Sequence, residues 1–275
     1  MKGRLRRALR YILGGVPTQD VRAEISYING VKRLEGKRII VTGGGRGLGR
    51  AMAEKFIAEG ADVLIAGRNA ETLRTAAEEI GAKWLQLDMR EADAFGRFLD
   101  DAQERLGGID CLVNNAGISL HEGNFLNVSP HQLDDQFSTN LRGPYFLTQK
   151  LIERKIAAGE PAAILFVSSE RGEYVDDLPY GLTKTAVNSL VRGLAYRFVD
   201  KGIRVNAVAP GVTASEMTGF SPDGNLSCDY NRTGRVYLPG EVAEIAAFLL
   251  CDASRCLNGQ ILVCNEGKSI NAHWK

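Results

Sequence analysis

The chain lacks the residues from which several common site types are built. Its three histidines, His121, His131 and His273, do not cluster, and its five cysteines, Cys111, Cys228, Cys251, Cys256 and Cys264, show no Cys-x-x-Cys spacing. Neither a zinc site nor a disulfide frame is expected, no metal is called for, and the thiols read as reduced cysteines of a cytoplasmic protein. No run approaches the roughly 20 apolar residues of a membrane span. An excess of one charge is missing too: 34 basic and 33 acidic side chains leave +1 over 275 residues, so no global field selects nucleic acid.

The one basic concentration is Lys2, Arg4, Arg6, Arg7 and Arg10. Leu5, Leu9, Ile12 and Leu13 form a helical stripe among these arginines, so residues 1–36 read as a basic amphipathic N-terminal extension. Docking on the protein's own body or on a sister subunit is the favoured role of that stripe. Weak association with an anionic membrane surface is the alternative. Residues 37–275, in a chain with 44% hydrophobic residues, have enough apolar content for one sizeable core.

From residue 37 onward, short β-branched runs alternate with helical periodicity. Strands are expected over 38–41, 63–66, 84–87, 111–113, 163–167, 204–208 and 260–264. Helices are expected over 50–59, 70–80, 91–106, 131–157, 179–200 and 240–250. Each strand is followed by a crossover long enough for a helix, which makes the fold class α/β, with a doubly wound, seven-stranded parallel sheet. The one long stretch without periodicity, 214–238, has the length of a functional lid or binding loop. Met217, Phe220 and Tyr237 are its candidates for excluding water from a closed site.

Between the first strand and first helix lies Thr42-Gly43-Gly44-Gly45-Arg46-Gly47-Leu48-Gly49. Glycines at 43, 47 and 49 allow a tight turn and close backbone approach, so that a pyrophosphate can sit on the helix N-terminus. Further on, Tyr180 and Lys184 share one helical face. An ammonium about 4 Å from a phenol, at an effective dielectric of about 20, is worth roughly 4 kcal/mol, enough to bring a tyrosine into useful acid/base range.

These stretches, with Asn114-Asn115-Ala116-Gly117, Asn140-Leu141, and Asn206 followed by Pro210-Gly211, stand in the order and on the elements of a known pattern. From residue 36 to about 267 the chain resembles the short-chain dehydrogenase/reductase (SDR) family. The resemblance implies a single Rossmann-like domain that moves a hydride between NAD(P) and a carbonyl or secondary alcohol. It implies a catalytic set of Ser169, Tyr180, Lys184 and Asn140. Tyr180 would be the acid in reduction and the base in oxidation, Lys184 would also hold the nicotinamide ribose, and Asn140 would position a water. Cofactor contacts carry over to Gly43, Gly45, Arg46, Gly47, Leu48, Gly49, Arg68, Asp88, Met89, Asn115, Ala116, Gly117, Tyr180, Lys184, Pro210, Gly211, Thr213 and Ser215. A homodimer or homotetramer is the family habit.

Two points depart from the pattern. The interval from Ser169 to Tyr180 is about two residues shorter than usual, which leaves Ser168 open beside Ser169 as the catalytic serine; neighbours on a strand face opposite ways, so one of them serves. Asn265-Glu266-Gly267 stands where Asp-Gly-Gly is usual. For the coenzyme, the position of the acid that accepts the adenosine ribose in NAD enzymes is Gly67, followed by Arg68, with Arg46 in the glycine loop. Two guanidiniums and no carboxylate point to NADP over NAD. The small-molecule substrate stays open between an acyl-carrier-protein thioester, for which Arg232 and Arg235 offer a basic patch, and a sugar or polyol. The charged run Glu170, Arg171, Glu173, Asp176 and Asp177 suits a polar, hydroxylated or cationic substrate. A cofactor-sensing regulator without turnover is the reading outside enzymes.

Overall fold

The computed structural model describes residues 32–222, 224, 226–228, 231 and 234–270. The stripe of Leu5 to Leu13 and Arg232 lie outside these residues. The expected alternation is present: β1 (Arg38–Thr42), α1 (Gly47–Ala58), β2 (Asp62–Gly67), α2 (Ala70–Ile80), β3 (Lys83–Gln86), α3 (Phe95–Leu106), β4 (Cys111–Asn114), α4 (Pro130–Phe137), α5 (Gly143–Ala158), β5 (Ala162–Val167), α6 (Pro179–Phe198), β6 (Ile203–Pro210), α7 (Pro239–Leu250) and β7 (Ile261–Cys264). The seven strands form one sheet in the order β3-β2-β1-β4-β5-β6-β7, and every pairing is parallel. Strand order reverses between β1 and β4, and it is there that a doubly wound sheet opens a crevice at its carboxyl edge.

Successive residues of a strand point to opposite faces, and the core divides accordingly. Ile39, Val41, Val63 and Ile65 pack with Met52 and Phe56 of α1, Leu73 of α2 and Val242 of α7. Ile40, Leu64 and Leu112 pack on the other face with Phe95 and Leu99 of α3 and with Leu147 and Leu151 of α5. Ile164, Phe166 and Val205 continue that face beneath Val187 and Val191 of α6. Because both faces are covered, the central strands read as continuous apolar runs without polar alternation.

Several boundaries differ from the sequence expectation, and three of them matter here. The single helix expected over 131–157 is two helices joined by a π-helical turn, Ser138–Arg142, which carries Asn140. The first helix starts at Gly47, three residues before the expected start, because glycine-poor periodicity was its only signal. Leu34, assigned to the extension, is fully buried in the core, and Arg33 pairs with Glu244 at 2.8 Å and with the buried Glu59. Residues 33–36 therefore pack with the catalytic body.

Candidate active site

The glycine loop is shaped by what cannot be there. A Cβ at Gly43 would lie 2.9 Å from the Ala116 Cα, and one at Gly49 would run into the Gly43 carbonyl. Gly43 and Gly47 have φ of +66° and +54°, in the left-handed region that favours glycine. The facing wall comes from the end of β4. Asn115 Nδ2 donates to the carbonyls of Thr42 (2.9 Å) and Gly43 (3.2 Å), while Thr42 Oγ1 accepts from the backbone N–H of Asn115 (3.0 Å) and Ala116 (3.1 Å). Thr42 is buried and its hydroxyl stitches the two loops together, a role that its place in the glycine motif could have signalled.

A cavity of about 1040 Å³ runs along this edge, and every cofactor residue expected from the sequence lines it. At one end α1 begins on Gly47 with no side-chain cap and no acid in its first turn. Its first N–H groups and its positive dipole end are thus available to an anion. The close backbone of Gly43, Gly45 and Gly49 together with this uncapped terminus fits a dinucleotide pyrophosphate.

At the other end stand Tyr180 and Lys184. Lys184 is buried, its ammonium 5.5 Å from the Tyr180 ring centroid and donating to the Val167 carbonyl at 2.8 Å. Burial lowers the Lys184 pKa to about 8. For Tyr180 burial acts the other way and raises the phenol, opposed by a hydrogen bond with Ser169 and by the charge of Arg171. The Lys184 ammonium is turned to a backbone carbonyl, and burial is the larger influence on the ring.

The two serines separate. Ser168 Oγ donates to Asn188 Oδ1 at 2.6 Å, whereas Ser169 Oγ accepts from Arg171 N at 3.2 Å and is the serine that acts on the Tyr180 phenol, holding its pKa down against burial. Asn140 is fully engaged, its Oδ1 accepting from Ile118 N (2.8 Å) and its Nδ2 donating to Ile118 O (2.9 Å), so its side chain fixes the segment leaving β4. The π turn lets α4 and α5 present this residue to that segment.

Within the charged run after Ser169, Glu170 and Asp176 are turned inward while Asp177 is exposed. Glu170 is buried against Lys268 Nζ (2.9 Å), Asn265 Nδ2 (3.0 Å) and the Tyr174 hydroxyl (3.2 Å), Arg171 pairs with Asp176, and Glu173 accepts from Asn188. Glu170, Glu173 and Asp176 are thus already partnered within the protein. The departures near residue 265 are also accounted for: Asn265 serves Glu170, and Glu266 accepts from the Tyr237 hydroxyl at 3.3 Å. Arg235 is likewise spent, in a two-point pair with Glu241, whose pKa it lowers to about 2.

Of the three residues expected to close the site, Met217 alone lines the cavity. Tyr237 is buried behind Gly211, with its Cε2 2.8 Å from where a Cβ on that glycine would lie, and Phe220 packs on Ala214, Cys228 and Val236. Ser119 and Leu120, which directly follow the Asn-Asn-Ala-Gly stretch, were missed and line the mouth; neighbouring His121 Nε2 is 2.9 Å from the Met217 carbonyl. At the adenosine end Gly67 and Arg68 line the cavity, and the Arg68 side chain makes no ion pair among the described residues. Arg46 pairs with Glu216 across the mouth. Asp88 is held below the usual carboxylate range first by its bond to Arg90, with Arg68 adding to it.

The chain matches known proteins over most of its length. A family model described as enoyl-(acyl carrier protein) reductase matches residues 43–269. A 3-oxoacyl-[acyl-carrier-protein] reductase of Aquifex aeolicus is 30% identical over 246 residues, 86% of this chain and 98% of its own length. Gluconate 5-dehydrogenase of Gluconobacter oxydans is 32% identical over 249 residues, 86% of this chain and 96% of its own length. The crystal structure of a 3-ketoacyl-(acyl-carrier-protein) reductase from Brucella melitensis, complexed with NADH, superposes with a TM-score of 0.79 at 32% identity, covering 86% of this chain and all of that one. By a family match over most of its length and by relatives at 30% identity or more covered almost end to end, the chain belongs to the short-chain dehydrogenase/reductase family of oxidoreductases.

Proposed function

We propose that the protein is an NADP-dependent oxidoreductase acting on a carbonyl or secondary alcohol, with Tyr180 as its proton donor and acceptor. The observation that carries this reading is the joining, in one cavity, of a glycine cradle for a pyrophosphate with Ser169, Tyr180 and a buried Lys184 whose ammonium lies 5.5 Å from the Tyr180 ring centroid. Bound nicotinamide would supply or accept the hydride. The protein's own part concerns the substrate oxygen, which gains negative charge as the carbonyl carbon is reduced. Tyr180 passes its phenolic proton to that oxygen, and Ser169 gives it a second hydrogen bond; in oxidation the Tyr180 phenolate takes the proton back. Lys184 lies close enough to stabilise the phenolate, and Asn140 keeps Ile118 and the mouth of the cavity in register.

NADP is favoured by Gly67 in place of an acid and by the unpaired Arg68 beside it, with Arg46 within the same cavity. Leu120 and Met217 make the substrate side partly apolar, which suits a carbonyl flanked by carbon chains. Assembly through α5 and α6 would cover Tyr145, Ile156, Leu182 and Tyr196, all exposed on those helices.

A panel of ketones, 3-oxoacyl thioesters and polyols followed at the nicotinamide absorbance tests the activity. Tyr180→Phe should keep coenzyme binding and lose turnover by roughly a hundredfold or more. Near-normal turnover in that variant would remove Tyr180 from the mechanism.

A further inference from the structure

Nine residues separate Ser169 from α6, and one ion pair closes across the middle of them. The Ser169 hydroxyl accepts from the Arg171 backbone N–H at 3.2 Å, which occupies a lone pair and leaves the hydroxyl proton free for another acceptor. The Arg171 guanidinium grips Asp176 as a fork, with Nη2 2.7 Å from Oδ1 and Nε bonded to Oδ2. Asp176 Oδ1 in turn accepts from Leu178 N at 3.0 Å, the residue that precedes the first turn of α6. Its carboxylate lies on Gly181, the neighbour of Tyr180, where any side chain would collide with it. One end of the pair thus holds the serine and the other rests beside the tyrosine. The shortened interval, an oddity in the sequence, is the length that this clamp closes.

We propose that Arg171, clamped by Asp176, is a positioning and charge-tuning residue for Tyr180: a second cation beside Lys184 that favours the phenolate, and a backbone donor that aims the Ser169 hydroxyl. The proposal rests on the reading of Tyr180 as the acid/base. The direction agrees with the opposing influences on the phenol, since burial raises it while Ser169 and Arg171 lower it. Asp177, next along, adds to the negative charge around Arg171. The other charges near this end are committed elsewhere. Lys184 donates to Val167 O, Glu170 to Lys268 closes a separate pair, Glu216 holds Arg46, and His121 meets the Met217 carbonyl. Asn140 and Thr183, packed from the neighbouring helix and from α6 itself, carry no charge. The Arg171 side chain is 42% exposed while that of Asp176 is 6% exposed, so solvent screens the cation and its effect is moderate.

The test reads the phenol directly and needs no substrate. Ultraviolet titration of tyrosinate absorbance, taken as the difference between each protein and its Tyr180→Phe counterpart, isolates the Tyr180 midpoint. Arg171→Gln should move that midpoint up, reducing the phenolate population at a fixed pH below it by roughly threefold to tenfold. Arg171→Lys should restore most of the loss. Asp176→Asn keeps an acceptor for Leu178 N but removes the negative charge, and should move the midpoint down. Opposite signs for the two neutralisations support tuning. An unmoved midpoint in Arg171→Gln, or a rise in both, overturns it and leaves the pair a structural clamp; should Arg171→Gln fail to fold, a midpoint in Asp176→Asn that stays or rises overturns it by itself. Turnover measured in parallel keeps the two readings apart, because a Tyr180→Phe protein that remains active refutes the acid/base role whatever the titration shows.

Discussion

The two ends of the cavity are built by opposite means. At the dinucleotide end the wall is backbone: Gly43, Gly45 and Gly49 bring the main chain against Ala116, Thr72 and Gly43 itself, and Asn115 locks the loop with two bonds. At the mouth, segment 214–238 is held by isolated bridges, Thr213 with Tyr237, Ser215 with Phe220 and Ser227 with Arg235, and by a small satellite cluster around Val236. A surface held by the absence of side chains has little room to vary. A surface held by several modest contacts can exchange them one at a time, and so can adapt to a substrate while the coenzyme end stays fixed.

The sharpest test of that contrast places one methyl group at each end. Gly49→Ala drives its Cβ into the Gly43 carbonyl and should weaken NADPH binding roughly a hundredfold, read by fluorescence titration. Gly219→Ala, with φ +75° and nothing within 4 Å of its Cβ, should cost about 1 kcal/mol of stability and leave coenzyme affinity unchanged. Equal losses of affinity in the two variants would break the comparison. Next in size is Arg68→Ala, expected to reduce the preference for NADPH over NADH roughly tenfold in kcat/KM, as the loss of one charge-assisted contact would. A wild-type protein indifferent to the two coenzymes would defeat the NADP assignment outright.

The same contrast explains what could be read from the sequence. Gly43, Gly47 and Gly49, Asn115, Tyr180 and Lys184 were legible because each is required by a backbone approach or by helical spacing, and the structure brings them to one cavity. The sheet was legible because parallel strands covered on both faces leave unbroken apolar runs. The π turn at Asn140 was not, since one wide turn changes no residue type. The inward turn of Glu170 was not either: its partners Asn265 and Lys268 stand near the other end of the chain, and nothing local separates a buried acid from a solvated one. Tyr237 and Phe220 looked like gate residues for the same reason, although they pack behind the wall.

A further expected effect lies at Lys184, between the two ends. With a pKa of about 8 in the fold against 10.5 for an ordinary lysine, the unfolded chain binds more protons between those values, so stability rises with pH across that window and the full penalty is present below pH 8. Lys184→Met should therefore be inactive yet more stable by about 1–2 kcal/mol at neutral pH, after the lost bond to the Val167 carbonyl is allowed for. The gain should fade as pH rises toward 10 in thermal melts, and a gain independent of pH would point to packing instead.

The strand order carries a consequence for how the chain reaches this state. No two neighbouring strands form a hairpin; Ile39 must find Cys111, and Leu165 must find Asn206, each across at least one helix. Such distant pairings are slow to form and leave open edges while they wait. The walls of the cavity come from the carboxyl ends of β1 to β6 and the segments that follow them, so the crevice exists in full only when Pro210 and Gly211 have docked. A dinucleotide that fits the completed crevice and no part of it would act during folding as a late rivet, drawing the assembly of six strands forward by mass action before any substrate is met.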